Sequence, residues 1–309
     1  MDKKSMRIGF GKALVELGES MPNLMVLDSD LKGTTMTGMY EQAYPDRFFD
    51  FGIAECNMVA QAAGMAHCGA VVFASTFAVF GAGKAYEIMR NAVCHTDANV
   101  KLVCSHAGVT VGEDGGSHQM LEDVSLMRSL PNITVIVPCD HIEMYKATKA
   151  IAGIHGPAYM RTVRPPVEAC TDEDTPFKIG KANIMREGSD LCIIACGDMV
   201  VPALEAHALL KEQGVSAAVV NMHTIKPIDR GCIKYMAEKC GRIITVENHS
   251  VIGGLASAVS EVLAEEGLTV RLGKIGIKDV FGQSGSAADL QKEYGLTAGH
   301  IVNAYNYMK

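Results

Sequence analysis

The feature of this sequence that most constrains its fold is a repeated alternation of short apolar runs with helix-length segments. In the first half, buried strands are predicted over residues 24–27, 70–74, 100–104, 134–137 and 158–161. Proline-free segments with helical character separate them, over residues 53–67, 81–94 and 141–151. Because short apolar strands that alternate with helices form parallel sheets covered on both faces, this half predicts a three-layer αβα domain.

The alternation resumes after an acidic, proline-containing stretch that suits an exposed connection. Strands are predicted over 191–195, 217–220, 243–246 and 270–275, and helices over 201–213, 229–239, 255–266 and from residue 299. The sequence therefore predicts an α/β fold of two consecutive three-layer αβα domains. We place the first at residues 3–167, a linker at 168–180 and a smaller second domain at 181–309.

Composition excludes several classes of function. A net charge of −7 and a pI near 5.8 argue against a partner bound mainly through nucleic-acid phosphates. No apolar run approaches the ~20 residues that a membrane span needs. Residues 1–20 predict a charged amphipathic helix and lack the apolar core of a signal peptide. The ten cysteines are scattered without a CxxC pair, which predicts buried reduced thiols in a cytoplasmic protein and no metal site.

Two stretches contain the residues most suited to chemistry. Glu55 lies near the start of a helix that is otherwise apolar on almost every side, just after Gly52. It either complements the helix dipole or is a buried acid that needs a partner. Residues 105–119 form a glycine-rich loop with two histidines and two acids, which predicts either a site or a tight surface loop.

The positions of the predicted strand ends favour a site. Functional loops of parallel sheets lie beyond the carboxyl ends of the strands. Five polar or aromatic residues fall at or just after such ends: Asp30, Glu55, Phe77, His106 and Arg161. In the second half, residues 247–249 (Glu-Asn-His) are also at a strand end, but a cap for the next helix explains them better.

Three ordered motifs resemble the transketolase family. They are GIAE at 52–55, STFAVF at 75–80 and GEDGGSHQ at 112–119. The chain is similar to the C-terminal half of a transketolase encoded as two polypeptides. The resemblance implies a pyrimidine-binding domain over 3–167 and a transketolase C-terminal domain over 181–309.

The resemblance implies thiamine diphosphate as the cofactor and assigns roles around it. Glu55 would be catalytic, through a hydrogen bond to N1′ of the aminopyrimidine ring. Phe77 and Phe80 would wall that ring, and Asp30 would lie near the cofactor. Many full-length transketolases have a tyrosine where this chain has Gly83, so the pocket is either more open or closed by Tyr86.

The resemblance also implies a substrate site for phosphorylated sugars. Asp114 and His118 would bind the sugar hydroxyls, and His118 would also be catalytic. Four residues would hold the sugar phosphate: Arg7, Thr34, His106 and Arg161. The implied reaction is transfer of a two-carbon ketol unit from a ketose phosphate to an aldose phosphate.

The resemblance implies a partner as well, because one expected segment is missing. The family holds Mg²⁺ and the diphosphate with a GDG motif followed by an asparagine, and this sequence has no such motif. We therefore expect an N-terminal transketolase subunit to hold Mg²⁺, in a heterotetramer of two subunits of each kind (α₂β₂) with self-association of this chain. We expect this chain to be inactive alone. Alternatives are a subunit of a 1-deoxyxylulose-5-phosphate synthase-like enzyme, a 2-oxo-acid dehydrogenase beta subunit and a non-catalytic partner.

Overall fold

The computed structural model describes residues 3–308 and confirms two successive α/β units. The strands of the first unit are β1 (Lys3–Lys4), β2 (Leu24–Asp28), β3 (Phe48–Asp50), β4 (Val71–Phe77), β5 (Val100–Ser105), β6 (Thr134–Ile136), β7 (Ala158–Arg161) and β8 (Val167–Glu168). Its helices are α1 (Met6–Ser20), α2 (Lys32–Thr35), α3 (Gly38–Ala43), α4 (Glu55–His67), α5 (Tyr86–Ile88), α6 (Asp123–Ser129) and α7 (His141–Ala152). Two π-helical segments, Val79–Lys84 and Met89–Cys94, flank α5, and 3₁₀ turns cover Pro45–Arg47 and Val109–Asp114.

The first unit is built on one predominantly parallel sheet. Strands β3, β2, β4, β5, β7 and β6 lie side by side in that order, and each pairs in parallel with its neighbours. Helices α1 and α7 cover one face, where Phe10 packs against Phe73. Helices α4 and α6 and the π-helical segments cover the other face. Full burial of a large apolar side chain contributes ~1.5–3 kcal/mol, so the two covered faces stabilise this unit.

The second unit repeats the arrangement with a smaller sheet. Its strands are β9 (Asn183–Arg186), β10 (Leu191–Ala195), β11 (Ala217–Asn221), β12 (Thr224–Lys226), β13 (Arg242–Ser250) and β14 (Arg271–Ile277). Its helices are α8 (Val200–Glu212), α9 (Arg230–Cys240), α10 (Leu255–Glu265), α11 (Ala287–Glu293) and α12 (Ala298–Asn306), with a 3₁₀ turn at Gly197–Met199. The sheet order is β14-β13-β10-β11-β9, in which only β9 is antiparallel to its neighbour.

The units are joined by a strand that crosses from the second to the first. Strand β12 pairs antiparallel with β6 and becomes the seventh strand of the first sheet. The backbone N–H of Val137 donates to the carbonyl of His223 at 2.7 Å, which extends the contact. Nothing in the local sequence indicates this pairing, because the strand is only three residues long.

The single helix predicted over 81–94 is instead a short α-helix, α5, between two π-helical segments. Other differences from the predicted elements lie mainly at element ends. Helix α4 begins at Glu55 rather than at residue 53, so the carboxylate is on the first helical residue. Strand β4 extends to Phe77. The predicted N-terminal helix is present from Met6, and Met1 and Asp2 lie outside the described residues. Among residues 3–308, no helix has the length and apolar character that crossing a bilayer requires.

Candidate active site

Four aromatic side chains, Phe77, Phe80, His106 and His118, meet beyond the carboxyl ends of β4 and β5 and form an aromatic cluster. The rings of Phe77 and His106 stack at 3.8 Å between centroids, and Phe77 also stacks with Phe80 at 6.0 Å. His118 meets Phe80 edge-on at 5.6 Å. The π-helical segment Val79–Lys84 places Phe80 here, and such segments are frequent at functional sites. The two predicted motifs around residues 77 and 112–119 are thus brought together.

The carboxylate of Glu55 lies beside the same π-helical segment. Glu55 is 2% exposed, and its Oε2 accepts a hydrogen bond from Nζ of Lys84 at 2.7 Å. The Lys84 side chain is 52% exposed, so its ammonium group reaches the buried acid from the solvent side. A buried carboxylate needs such a partner, because desolvation of an unpaired charge is costly. The segment therefore contributes both an aromatic wall, Phe80, and the ion-pair partner of Glu55.

His106 adopts a left-handed backbone conformation directly after β5, with φ of 59°. Its Nδ1 is 2.9 Å from the hydroxyl of Ser105, which fixes the ring against Phe77. Burial, followed by the positive charges of Arg7 and Arg164, lowers the pKa of His106 to about 3. The imidazole is therefore neutral at physiological pH, and its surroundings are strongly cationic.

Two arginines produce that cationic surrounding. Arg7 donates to the carbonyls of Thr34 and Arg164, each at 2.8 Å. Arg164 donates to the carbonyl of Val111 at 2.7 Å and pairs with Glu113 at 2.9 Å. Burial and the charge of Arg164 lower the pKa of Arg7. Because like charges held together repel, this pair favours an anion such as a phosphate.

Arg161 is not part of this group. It is 4% exposed, its Nε lies 3.0 Å from Oδ2 of Asp123, and its Nη2 donates to the carbonyl of Asn248 at 3.1 Å. The same Asp123 oxygen accepts the hydroxyl of Tyr159 at 2.7 Å. In this structure the Arg161 guanidinium is therefore engaged by Asp123 and Asn248, and Arg164 is the arginine that lies with Arg7 beside His106. The sequence indicates this difference between the two arginines, because Arg161 is inside the buried strand and Arg164 follows it in the loop.

The acids of the predicted site also occupy different environments. Asp30 is exposed with φ of 61°, and its N–H donates to Asp50 at 2.9 Å. Asp114 is exposed, 4.0 Å from Arg164. The buried acid at the end of β2 is instead Asp28, whose carboxylate accepts the hydroxyls of Thr35 and Thr37. Burial raises the pKa of Asp28 to about 6, and its hydrogen bonds shape the turn that presents Asp30.

Gly83 lies next to Met120. A Cβ added at Gly83 would be 3.7 Å from the Met120 methyl group, an ordinary contact distance. The hydroxyl of Tyr86 lies instead 3.1 Å from that of Ser129. Met120, rather than Tyr86, therefore adjoins Gly83.

The second unit supports the loop of the first through a residue that sequence reasoning missed. Oδ1 of Asn248 accepts the N–H of Val109 at 3.0 Å, and its Nδ2 donates to Thr110 and Asp198, both at 2.9 Å. A Cβ on Gly108 would lie 2.4 Å from Asn248, so this approach requires glycine. Its neighbour Glu247 caps α10 through the N–H groups of residues 255 and 256, as predicted.

Comparisons with known proteins give a consistent family assignment. Family models match the transketolase pyrimidine-binding domain over residues 2–168 and the transketolase C-terminal domain over residues 180–301. The chain is 50% identical over 301 residues to a putative transketolase C-terminal section of Methanocaldococcus jannaschii, covering 97% of this chain and 94% of that protein. It is 38% identical over 304 residues to the 6-deoxy-6-sulfo-D-fructose transketolase subunit SqwH of Clostridium sp., covering 98% and 94%.

A solved structure is similar over nearly the whole chain. It is described as a split-gene transketolase in an inactive beta4 tetramer, with 44% identity, a TM-score of 0.91 and coverage of 99% of this chain and 98% of that one. The family is dependent on thiamine diphosphate, and its pyrimidine-binding domain binds that cofactor. The chain therefore belongs to the transketolase family, as the C-terminal section of a split transketolase.

Proposed function

We propose that this chain is the C-terminal subunit of a thiamine-diphosphate-dependent transketolase that moves a two-carbon ketol unit from a ketose phosphate to an aldose phosphate. The observation that carries the proposal is the buried carboxylate of Glu55 beside the segment that contributes Phe80 to the aromatic cluster. A carboxyl group next to aromatic walls suits an aminopyrimidine ring, which offers both a flat face and a basic nitrogen.

The residues present fit the ring half of the cofactor. When bound, thiamine diphosphate supplies the carbon nucleophile and electron sink that ketol transfer requires. Glu55 would share a proton with N1′ of the ring, Phe77 and Phe80 would wall it, and Asp30 lies at the neighbouring strand end. The burial of Glu55 keeps water from competing for that proton.

The two arginines beside the aromatic cluster suit a phosphorylated substrate. Arg7 and Arg164, with Thr34, hold the phosphate of the sugar, and neutral His106 donates a hydrogen bond without adding charge. Asp114 and His118, on the glycine-rich loop, bind the hydroxyl groups. His118 meets Phe80 edge-on, and in this proposal it exchanges a proton with the reacting sugar.

The diphosphate and Mg²⁺ belong, in this proposal, to an N-terminal subunit. Among residues 3–308, the one group of three side chains close enough to share a metal ion is Cys139, Asp140 and Cys170, which does not include any residue of the proposed site. The match to this chain spans 94% of the length of each of two relatives. This favours a split transketolase over a synthase, which normally has both domains on one chain. We propose an α₂β₂ assembly in the cytoplasm.

The test is reconstitution. The purified chain should show no ketol transfer, and activity should appear after addition of the N-terminal subunit, thiamine diphosphate and Mg²⁺. In the reconstituted complex, Glu55→Gln should slow exchange of the cofactor's C2 proton at least ~100-fold, the range of general acid–base effects. Glu16→Gln, an exposed acid on α1, is the control.

Two results would contradict the proposal. An unchanged exchange rate in the Glu55→Gln complex would remove the role of Glu55. Release of carbon dioxide from a 2-oxo acid, without ketol transfer from any ketose phosphate, would favour the synthase or the 2-oxo-acid dehydrogenase alternative.

A further inference from the structure

Two cysteines outside the proposed active site touch each other. The thiol of Cys170 lies 3.4 Å from Sγ of Cys139, although the residues are 31 positions apart in the chain. Cys139 is fully buried between β6 and α7, whereas Cys170 is partly exposed in the connection between the two units. Side chains this close need to move only a little to reach the ~2.05 Å of a disulfide bond.

The backbone around the pair is fixed by one acid. Asp140 caps α7 by accepting the N–H groups of Ile142 and Glu143 at 2.9 and 2.8 Å. Its other oxygen accepts the N–H groups of Cys170 and Thr171 at 2.9 and 2.7 Å. The Asp140 carboxylate therefore links the connection between the two units to the start of α7 and keeps the two thiols adjacent.

The same hydrogen bonds argue against a metal ion at this place. Both oxygens of Asp140 are already engaged, so only the two sulfur atoms remain as ligands. Oε2 of Glu143 accepts the N–H of Cys139 at 2.7 Å, and its Oε1 accepts Nδ2 of Asn221 at 2.8 Å. A structural zinc site needs four ligands, and these carboxylates would have to give up their hydrogen bonds to provide them.

The surroundings of each sulfur suit a thiol–disulfide exchange. Cys170 lines an open groove of about 490 Å³ together with Arg186, so a small disulfide can reach it. Cys139 hydrogen-bonds to the Glu143 carboxylate, and burial raises the pKa of Glu143 to about 7. Burial also raises the pKa of the Cys139 thiol, so that thiol is inert unless a neighbouring base takes its proton.

We propose that Cys139 and Cys170 form an oxidation site, at which a low-molecular-weight disulfide converts the two thiols into an intramolecular disulfide. The Cys170 thiolate attacks one sulfur of the small disulfide, its S–S bond breaks, and one small thiol leaves. Cys139 passes its proton to Glu143 and attacks Sγ of Cys170, which expels the second small thiol. The protein loses two protons and two electrons, and the small disulfide gains them as it becomes two thiols.

The bond would join the connection between the units to the first unit covalently. Asn221 at the end of β11 also donates to Sγ of Cys139, at 3.4 Å, so the second sheet borders the same sulfur. Oxidation would therefore restrain the junction of the two units. Within cells, such cysteine pairs are usually redox-responsive rather than structural.

The test treats the full-length reduced chain with oxidised glutathione and maps the products by mass spectrometry. A peptide that links residues 139 and 170 is expected, with loss of two hydrogen atoms, and reduced dithiothreitol should reverse it. Cys139→Ala should trap glutathione on Cys170. Cys170→Ser should leave residue 139 unmodified, because that sulfur is buried. The midpoint of thermal unfolding should rise on oxidation of the wild-type chain but not of either variant.

Cys68 provides the internal control, since it is exposed and should only accept glutathione. The proposal is overturned if Cys170 reacts no faster than Cys68 and no linked peptide forms. It is equally overturned if the purified chain contains one zinc ion per molecule that protects both thiols from oxidation. Neither result would bear on ketol transfer, so the outcome is independent of the proposed function.

Discussion

Arg161 and Arg164 are three residues apart, and the structure predicts opposite consequences when each is replaced by methionine. Arg161 is buried against Asp123, whereas the side chain of Arg164 is 39% exposed beside Arg7 and His106. We expect Arg161→Met mainly to destabilise the chain and Arg164→Met mainly to weaken the use of phosphorylated substrates.

The expected size of each effect follows from how deeply the arginine is buried. Removal of Arg161 leaves the carboxylate of Asp123, which has no exposed surface, without its counter-charge, and breaking a buried pair costs ~3–5 kcal/mol. Loss of Arg164 removes charge-assisted hydrogen bonds to the phosphate worth ~1.5–3 kcal/mol, or about 10- to 150-fold in kcat/KM.

Urea unfolding of the chain and kinetics of the reconstituted complex separate the two effects. The double variant Arg161→Met/Asp123→Asn should recover part of the lost stability, because it removes the unpaired charge and keeps an acceptor for the Tyr159 hydroxyl. Arg164→Met loses the hydrogen bond to the Val111 carbonyl and an exposed pair with Glu113, so it should lower stability far less than Arg161→Met. It should lower activity with phosphorylated sugars more than activity with unphosphorylated ones.

The opposite effects on stability and substrate use would refute the roles assigned to the two arginines. If Arg161→Met kept wild-type stability and lost selectivity for phosphorylated sugars, Arg161 would have to leave Asp123 and reach the substrate. If Arg164→Met used phosphorylated and unphosphorylated sugars in the wild-type ratio, the Arg7–Arg164 pair would not be a phosphate site.

Three other perturbations test separate parts of the structure. Lys84 occupies one oxygen of Glu55, so Lys84→Met should tighten binding of thiamine diphosphate to the complex by ~3- to 10-fold, an effect of about 1 kcal/mol. Weaker binding in a cofactor titration would argue that Lys84 helps hold the ring. Burial lowers the pKa of Lys101 from 10.5 to about 7. At this group the unfolded chain therefore binds more protons than the folded one above that pH, so the contribution of Lys101 to stability should rise by ~2 kcal/mol from about pH 7 to about pH 9. Urea unfolding measures it as the difference between the wild-type chain and Lys101→Met at each pH. Asn248→Ala should lower kcat/KM ~10-fold by loosening the loop at Val109, with cofactor affinity unchanged in the same titration.

The sequence was most informative where function depends on local order along the chain. Strand ends can be read from short apolar runs, so the convergence of Phe77 and His106 at one rim followed from parallel pairing alone. The glycine-rich loop was visible because residues 112–119 combine glycines with titratable side chains.

The sequence was less informative where the structure depends on contacts between distant segments. The support of the loop by Asn248 joins residues 139 positions apart in the chain. Arg161 and Arg164 have the same side chain, and only their positions relative to the end of β7 separate a buried ion pair from a half-exposed side chain at the loop. The sequence did not indicate the ion pair of Lys84 with Glu55, because a lysine late in a helical segment usually faces solvent.

The crossing of β12 makes the two units interdependent in folding. Without it, β6 would present an unpaired edge to solvent, which is a known template for aggregation. Cleavage of the connection at 168–180 would therefore not release two self-sufficient fragments: they should stay associated and unfold together. An evolutionary or engineered division of the chain at this point would have to move residues 224–226 with the first fragment or replace them.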